Sequence, residues 1–193
     1  MKICLFGGTF DPPHIGHLLV AQTIFEAEKF DKIIFIPANI PPHKVEKEIT
    51  SVELRLEMLN IALKDNPHFE ISDVEIRRGG VSFSLDTIKA LKLKYKLTAG
   101  DIYYLMGSDT LKKFHTWHEP EKILDECQVI VAIRPGFRPS DIQRWILSKI
   151  QFANIPRIEI SSSNVRLRWL AGKTIRYMVT QPVWMFINKR DLY

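Results

Sequence analysis

The chain has 193 residues, 46% of them hydrophobic and 25% charged, with two cysteines and a formal net charge of +5. These proportions describe a single globular domain able to bury a core without disulfides or structural metal, and they exclude collagenous, disordered and disulfide-built chains. The positive balance favours anionic partners, yet Lys and Arg form no block or stripe, so phosphorylated small molecules account for it and neither nucleic acid nor membrane is expected.

In chain order, residues 2–6 (KICLF) read as a first strand that ends at two glycines. Its apolar run is too short and too differently flanked for a signal peptide, and no run of about 18 apolar residues follows anywhere, so the expected setting is cytoplasmic. Ile15, Leu18, Leu19, Gln22, Ile24 and Phe25 repeat at helical spacing. Residues 32–36 (KIIFI) are a second strand. A helix opened by Thr50 and Ser51, with Glu53 in its first turn, then carries Leu54, Leu56, Met58, Leu59, Ile61 and Leu63. Residues 69–76 (FEISDVEI) read as a third strand, and Leu85, Ile88, Leu91 and Leu93 as a helix behind Ser84. Further strands are expected at 102–106 (IYYLM), 128–133 (QVIVAI) and 157–160 (RIEI), then helices at 164–170 and near 176–187. Alternating elements with near-continuous apolar strands predict an α/β fold: a doubly wound parallel sheet in one domain over 1–193, with a small helical C-terminal region over about 161–193. Cys4 and Cys127, each in an apolar run and without metal-ligand spacing, read as reduced core residues.

In such folds ligands bind beyond the carboxyl ends of the strands, and the first such loop is the most informative stretch of the chain. It reads Gly7-Gly8-Thr9-Phe10-Asp11-Pro12-Pro13-His14-Ile15-Gly16-His17. Glycines allow a sharp turn and close backbone approach to a ligand, and the prolines hold the loop apart from the helix that follows. His14 and His17, three apart at a helix start, share one face beside free N–H groups and the positive end of the helix dipole. Gly16 between them leaves room for a flat base or a ribose. Two imidazoles facing a triphosphate donate hydrogen bonds to non-bridging oxygens and stabilise charge developing at phosphorus. There is no Walker sequence and no GxGxxG. Late in the chain, Ser161, Ser162, Ser163 and Arg166 place hydroxyls and a charge at another helix start, where they either cap the helix or bind phosphate. Asp11 and Asp86 read as exposed turn and helix-start residues without chemistry, and His115 and His118 lack a third metal ligand.

The HIGH segment at 14–17 resembles the (H/T)xGH signature of the nucleotidyltransferase superfamily, and the stretch ISSSNVR at 160–166 resembles its second half. The resemblance is most extensive with bacterial nicotinate-nucleotide adenylyltransferases. It runs through IPPHK at 40–44, MGSD at 106–109, TW at 116–117 and RPGF at 134–137 to Asp191-Leu192-Tyr193. It implies a Rossmann-like fold and transfer of AMP from ATP, with Mg²⁺, to nicotinate mononucleotide. Carried over by position, Gly7, Gly8, Thr9 and Phe10 line the nucleotide loop, with His14 and His17 on the phosphates and Arg166 on the β- and γ-phosphates. Lys44 contacts phosphate, Asp109 a ribose, and Arg134 lies near the adenine. Ser84 and Trp117 frame the nicotinate.

Taken singly, Lys44 reads as a solvated lysine, Asp109 as a helix cap and Trp117 as a groove lining. The family usually has threonine at Ser163, an acidic residue at Leu167 and Pro-Ser-Tyr-Thr wording near residues 81–84. Segment 38–50 has the composition of a loop that closes over substrate. A homo-oligomer is compatible with the sequence. Competing readings are a pantetheine-phosphate adenylyltransferase, whose chains are typically shorter and without the TW and RPGF stretches, a nucleic-acid-binding module and a non-catalytic nucleotide sensor.

Overall fold

In the computed structural model, which describes residues 1–41 and 49–193, six parallel strands form one sheet in the order β3-β2-β1-β4-β5-β6. They are β1 (Ile3–Gly8), β2 (Lys32–Pro37), β3 (Phe69–Ile71), β4 (Ile102–Gly107), β5 (Gln128–Ala132) and β6 (Ile150–Ala153). The helices are α1 (Ile15–Glu28), α2 (Val52–Leu63), α3 (Val74–Arg78), α4 (Ser84–Tyr95), α5 (Ser108–Leu111), α6 (Pro120–Glu126), α7 (Arg144–Leu147), α8 (Ser162–Leu170) and α9 (Gln181–Arg190). The chain starts in the middle of the sheet, winds outward to β3, then crosses back beside β1 to β4. The order therefore reverses between β1 and β4, which opens a crevice at their carboxyl ends.

Alternation along the strands divides the core in two. Ile3, Leu5, Ile34, Ile36, Ile102 and Tyr104 face α4 and α6, where Leu85, Ile88, Leu91, Ile123 and Leu124 meet them. Cys4, Ile33, Phe35, Leu105 and Ile130 face α1 and α2, against Val20, Ala21, Ile24, Leu59 and Leu63. Strands buried on both faces need apolar residues throughout, which is why their sequences do not alternate. A third, smaller core joins Met58 of α2 to Val165, Ile175, Val179, Val183 and Ile187, and so fastens the C-terminal helices to the main body. Ile15 N–H, an orphan donor at the start of α1, reaches Met178 O at 2.9 Å from that same region.

Three expected elements are corrected. Only Phe69–Ile71 of the 69–76 segment is strand, because the chain turns at Ser72 and Asp73 into α3, which buries Glu75. Residues 157–160 are not a strand: Arg157 and Glu159 are exposed, and Ile158, Glu159 and Ile160 border a hollow shared with Asp109 and Arg134. The sixth strand is instead β6, at the sheet edge, where a half-exposed Phe152 and an exposed Gln151 leave a weak apolar pattern. The last helix begins at Gln181 rather than near 176, with Pro182 in its first turn. The two cysteines are buried, and burial pushes the Cys127 thiol up to about 12, as expected of inert core thiols. Among the described residues no helix is long and apolar enough to cross a membrane.

Candidate functional site

A cleft of about 370 Å³ lies at the switch point, walled by Gly7, Gly8 and Thr9 after β1, His17 on α1, Met106, Gly107 and Asp109 at the end of β4, and Arg134 after β5. Its far end is closed by Glu75, Ser82, Ser84, Tyr104 and Trp117. Gly7 is small for a measurable reason: a Cβ there would lie 2.6 Å from the Tyr104 hydroxyl. At Gly8 the obstacle is the Phe10 ring, 2.8 Å from the position of a Cβ. Phe10 itself is turned inward, 1% exposed, with a left-handed backbone (φ 50°) and its ring edge-on to His17 at 5.0 Å. It therefore supports the loop from beneath, while Gly8 and Thr9 present backbone to the cleft.

His14 caps α1 and exchanges bonds with His17. The His17 N–H donates to His14 Nδ1 at 3.3 Å, and the His14 N–H donates to His17 Nδ1 at 3.2 Å. This is a capping box with imidazoles in place of the usual hydroxyl and carboxylate. With both Nδ1 atoms accepting, the neutral form of each ring carries its proton on Nε2. The rings stack at 3.6 Å between centroids. His17 borders the cleft, and His14 lies behind it at 3% exposure. Burial, with the Arg134 charge second, lowers the His14 pKa from 6.5 to about 4. Gly16 is held small by this pair as well, since its Cβ would sit 3.0 Å from His14 Nδ1.

At the rim, Arg134 Nη1 and Asp109 Oδ2 form an ion pair at 3.1 Å, exposed on both sides. Gly136 takes the positive φ (79°) that the Arg134-Pro135-Gly136-Phe137 turn requires. Ser161 opens a smaller hollow beside these two and caps α8 by accepting the Asn164 N–H at 3.2 Å. Ser162 donates its hydroxyl to Pro12 O at 2.9 Å, whereas Ser163 is exposed. Arg166 donates to Asp11 O at 2.6 Å, which docks it on the loop after β1. Lys44, and with it most of segment 38–50, falls at residues 42–48, outside the described residues.

Ser84 is the first residue of α4 and shares a hydrogen bond of 3.0 Å with the buried Tyr104 hydroxyl. Trp117 packs edge-on to Tyr104, with ring centroids 6.0 Å apart, and its buried indole N–H has no hydrogen-bond partner among the described residues. Leu167, which stands where an acidic partner would, is 64% exposed, and among the described residues Arg166 bonds to Asp11.

Several residues that shape the site escaped the sequence reading. Asp11 is 1% exposed, not a surface turn residue: its carboxylate accepts from Thr50 N–H at 3.2 Å and Tyr193 O–H at 2.9 Å. Arg55 is equally buried and donates to Thr50 O, Thr9 O and Asn39 O at 2.9, 2.9 and 3.3 Å. One guanidinium thus joins the loops after β1 and β2. A signal for it existed, because Arg55, Met58, Leu59 and Leu63 fall on one helical stripe and are the buried residues of α2. Glu75 accepts from Thr87 at 2.6 Å at the closed end of the cleft, and burial raises its pKa. Its position in an expected strand hid it.

A parallel sheet of this order, with a histidine pair at the switch point, defines a nucleotide-handling α/β transferase. The Cytidylyltransferase-like family model matches residues 5–168. A probable nicotinate-nucleotide adenylyltransferase of Exiguobacterium sibiricum is 39% identical, covering 100% of this chain and 99% of the relative. The nicotinate-nucleotide adenylyltransferase of Bacillus subtilis is 35% identical, covering 100% and 98%. The solved Plasmodium falciparum nicotinic acid mononucleotide adenylyltransferase complexed with NaAD superposes with a TM-score of 0.82 at 25% identity, covering 100% of this chain and 97% of that one. The chain belongs to the nicotinate-nucleotide adenylyltransferase family of the cytidylyltransferase-like nucleotidyltransferases.

Proposed function

We propose that the protein transfers AMP from ATP to the phosphate of nicotinate mononucleotide, releasing pyrophosphate and forming deamido-NAD. The observation that carries this reading is the histidine pair. Reciprocal capping leaves both imidazoles with Nε2–H donors, and His14 is kept neutral. Donors fixed in advance stabilise charge gained at the α-phosphate without reorganising during the reaction. In the mechanism, a phosphate oxygen of the mononucleotide attacks the α-phosphorus as the bond to pyrophosphate breaks, and the protein supplies position and charge rather than a covalent intermediate. Gly7, Gly8 and Thr9 bring backbone to the nucleotide. His17 donates to a phosphate oxygen, and His14 orders His17 from behind. Arg166 serves the departing phosphates with the hydroxyls of Ser161–Ser163 beside it, Asp109 and Arg134 hold the ribose and adenine at the rim, and a phosphate contact is assigned to Lys44 from its place in the IPPHK stretch alone.

Ser84, Tyr104 and Trp117 form the acceptor end. A flat ring fits against the indole, and the buried indole N–H is a donor that an oxygen of the ligand would satisfy. The described residues contain no group of three metal-ligating side chains. Asp109 is tied to Arg134 and Glu75 to Thr87, which suits Mg²⁺ carried by the triphosphate oxygens. Bound there, the ion would supply neutralisation of charge on the leaving pyrophosphate. A cytoplasmic setting follows from the substrates.

The test is pyrophosphate release from ATP and Mg²⁺ with nicotinate mononucleotide, run beside nicotinamide mononucleotide and phosphopantetheine. Release is expected to be strongest with the nicotinate compound, and His17→Ala is expected to lower kcat by roughly 10²–10³-fold, the usual loss of one such donor. Release with phosphopantetheine alone would keep the transferase chemistry and overturn the acceptor.

A further inference from the structure

The buried carboxylate of Asp11 is the meeting point of three parts of the chain that are far apart in sequence. Oδ1 accepts the Tyr193 hydroxyl at 2.9 Å. Oδ2 accepts the Thr50 N–H at 3.2 Å and lies 3.8 Å from Arg166 Nη1, which itself bonds the Asp11 carbonyl at 2.6 Å. Arg166 makes no other hydrogen bond to the described residues, so the direction of its guanidinium depends on how Asp11 is held. Phe10, next to it in the loop, is turned into the core, and Pro12 and Pro13 offer no N–H donors. Tyr193 comes from outside the loop. Its ring packs into the third core beside Met58, with the hydroxyl 3.9 Å from Met58 Sδ, and the rest of that core comes from the helices that carry Arg166 and follow it.

We infer that Tyr193 is a positioning residue for nucleotide binding: by donating to Asp11 it sets the Asp11 carbonyl, and through that carbonyl it aims Arg166 at the triphosphate. The phenol suits the task. Burial and the neighbouring Asp11 charge both raise its pKa, which favours the protonated, donating phenol. Tyr193 touches no substrate, and its effect passes only through Asp11 and Arg166. The C-terminal region therefore reaches the Asp11 carboxylate through the Tyr193 hydroxyl, besides the Ser162 bond to Pro12 O and Arg166 itself. This role rests on the reading of Arg166 as a phosphate ligand.

A double-mutant cycle on ATP affinity, measured by calorimetry on the full chain with Mg²⁺, tests the role without needing an acceptor. Tyr193→Phe retains the ring and its packing and removes only the donor. It is expected to weaken ATP binding about tenfold in the otherwise unchanged protein, the usual loss for a hydrogen bond to a charged group. In an Arg166→Ala background the same substitution is expected to change affinity by less than about twofold, because the group it aims is gone. A merely structural tyrosine would lower the thermal midpoint and weaken ATP equally in both backgrounds, and that result overturns the proposal, as does unchanged affinity in Tyr193→Phe. Should Tyr193→Phe fail to fold, Asp11→Asn run through the same cycle carries the same expectation and the same refutation. Tight ATP binding with an intact cycle, but no transfer to nicotinate mononucleotide, would sink the proposed acceptor and leave this role standing. No ATP binding by the unchanged protein would sink both.

Discussion

Protonating His14 should destabilise the folded protein, and the size of the effect follows from its burial. The ring is 3% exposed, and its pKa falls from 6.5 to about 4, first by burial and then by the Arg134 charge. The unfolded chain takes up a proton near 6.5 that the folded chain refuses until about 4. Folded-state stability is therefore complete above the unfolded value, declines as pH falls through that window and levels off below it. Between pH 7.5 and pH 5 the linkage amounts to about 2 kcal/mol, or roughly 4–8 °C in Tm for a chain of this size. Other groups titrate over the same range, so the informative quantity is a difference. His14→Asn keeps a side-chain oxygen able to cap α1 but cannot be protonated. Urea unfolding of both proteins at half-unit steps from pH 7.5 to 5 should show the variant losing about 2 kcal/mol less than the parent. Parallel curves would refute the argument, meaning that His14 titrates alike in both states and is not held neutral.

Arg55→Met should cost roughly 3–5 kcal/mol in urea unfolding, because three buried carbonyls and Asp11 lose a buried cation. Arg55→Lys should recover less than half of that loss, since one ammonium cannot span the three carbonyls; full recovery would mean that charge alone matters. Gly7→Ala should raise KM for nucleotide and lower the thermal midpoint, as its Cβ would stand 2.6 Å from the Tyr104 hydroxyl. Tyr104→Phe should partly rescue it, because the nearest ring carbon is 3.4 Å away; absence of rescue would place the strain elsewhere. Glu75, raised by burial, contributes stability below the ordinary glutamate range that is lost as pH rises through its raised value. Glu75→Gln should therefore be more stable than the parent at pH 7.5, with the gap closing towards pH 4, and a gap independent of pH would count against that assignment.

The sequence by itself determined the parallel α/β sheet and the place of the nucleotide loop. Strands buried on both faces must be apolar along their whole length, and a Gly-rich turn leading into a paired-histidine helix start is a local pattern with few alternatives. It also placed Gly7, Gly8, Thr9, His17, Ser84, Asp109, Trp117 and Arg134, all of which line the one cleft. It misplaced the sixth strand because an edge strand with polar and aromatic residues exposed carries little periodic signal. Only tertiary structure decided which polar residues are buried. Asp11 and Arg55 look like surface groups in their own segments, and apart from the Thr50 carbonyl beside Arg55 their partners lie between 16 and 182 positions away. The shape of the loop after β1 depends on those distant contacts, and the lowered pKa of His14 on burial and on Arg134, 120 positions away. A buried charge is tolerated only where its partners are already in place, and no local stretch of sequence contains them.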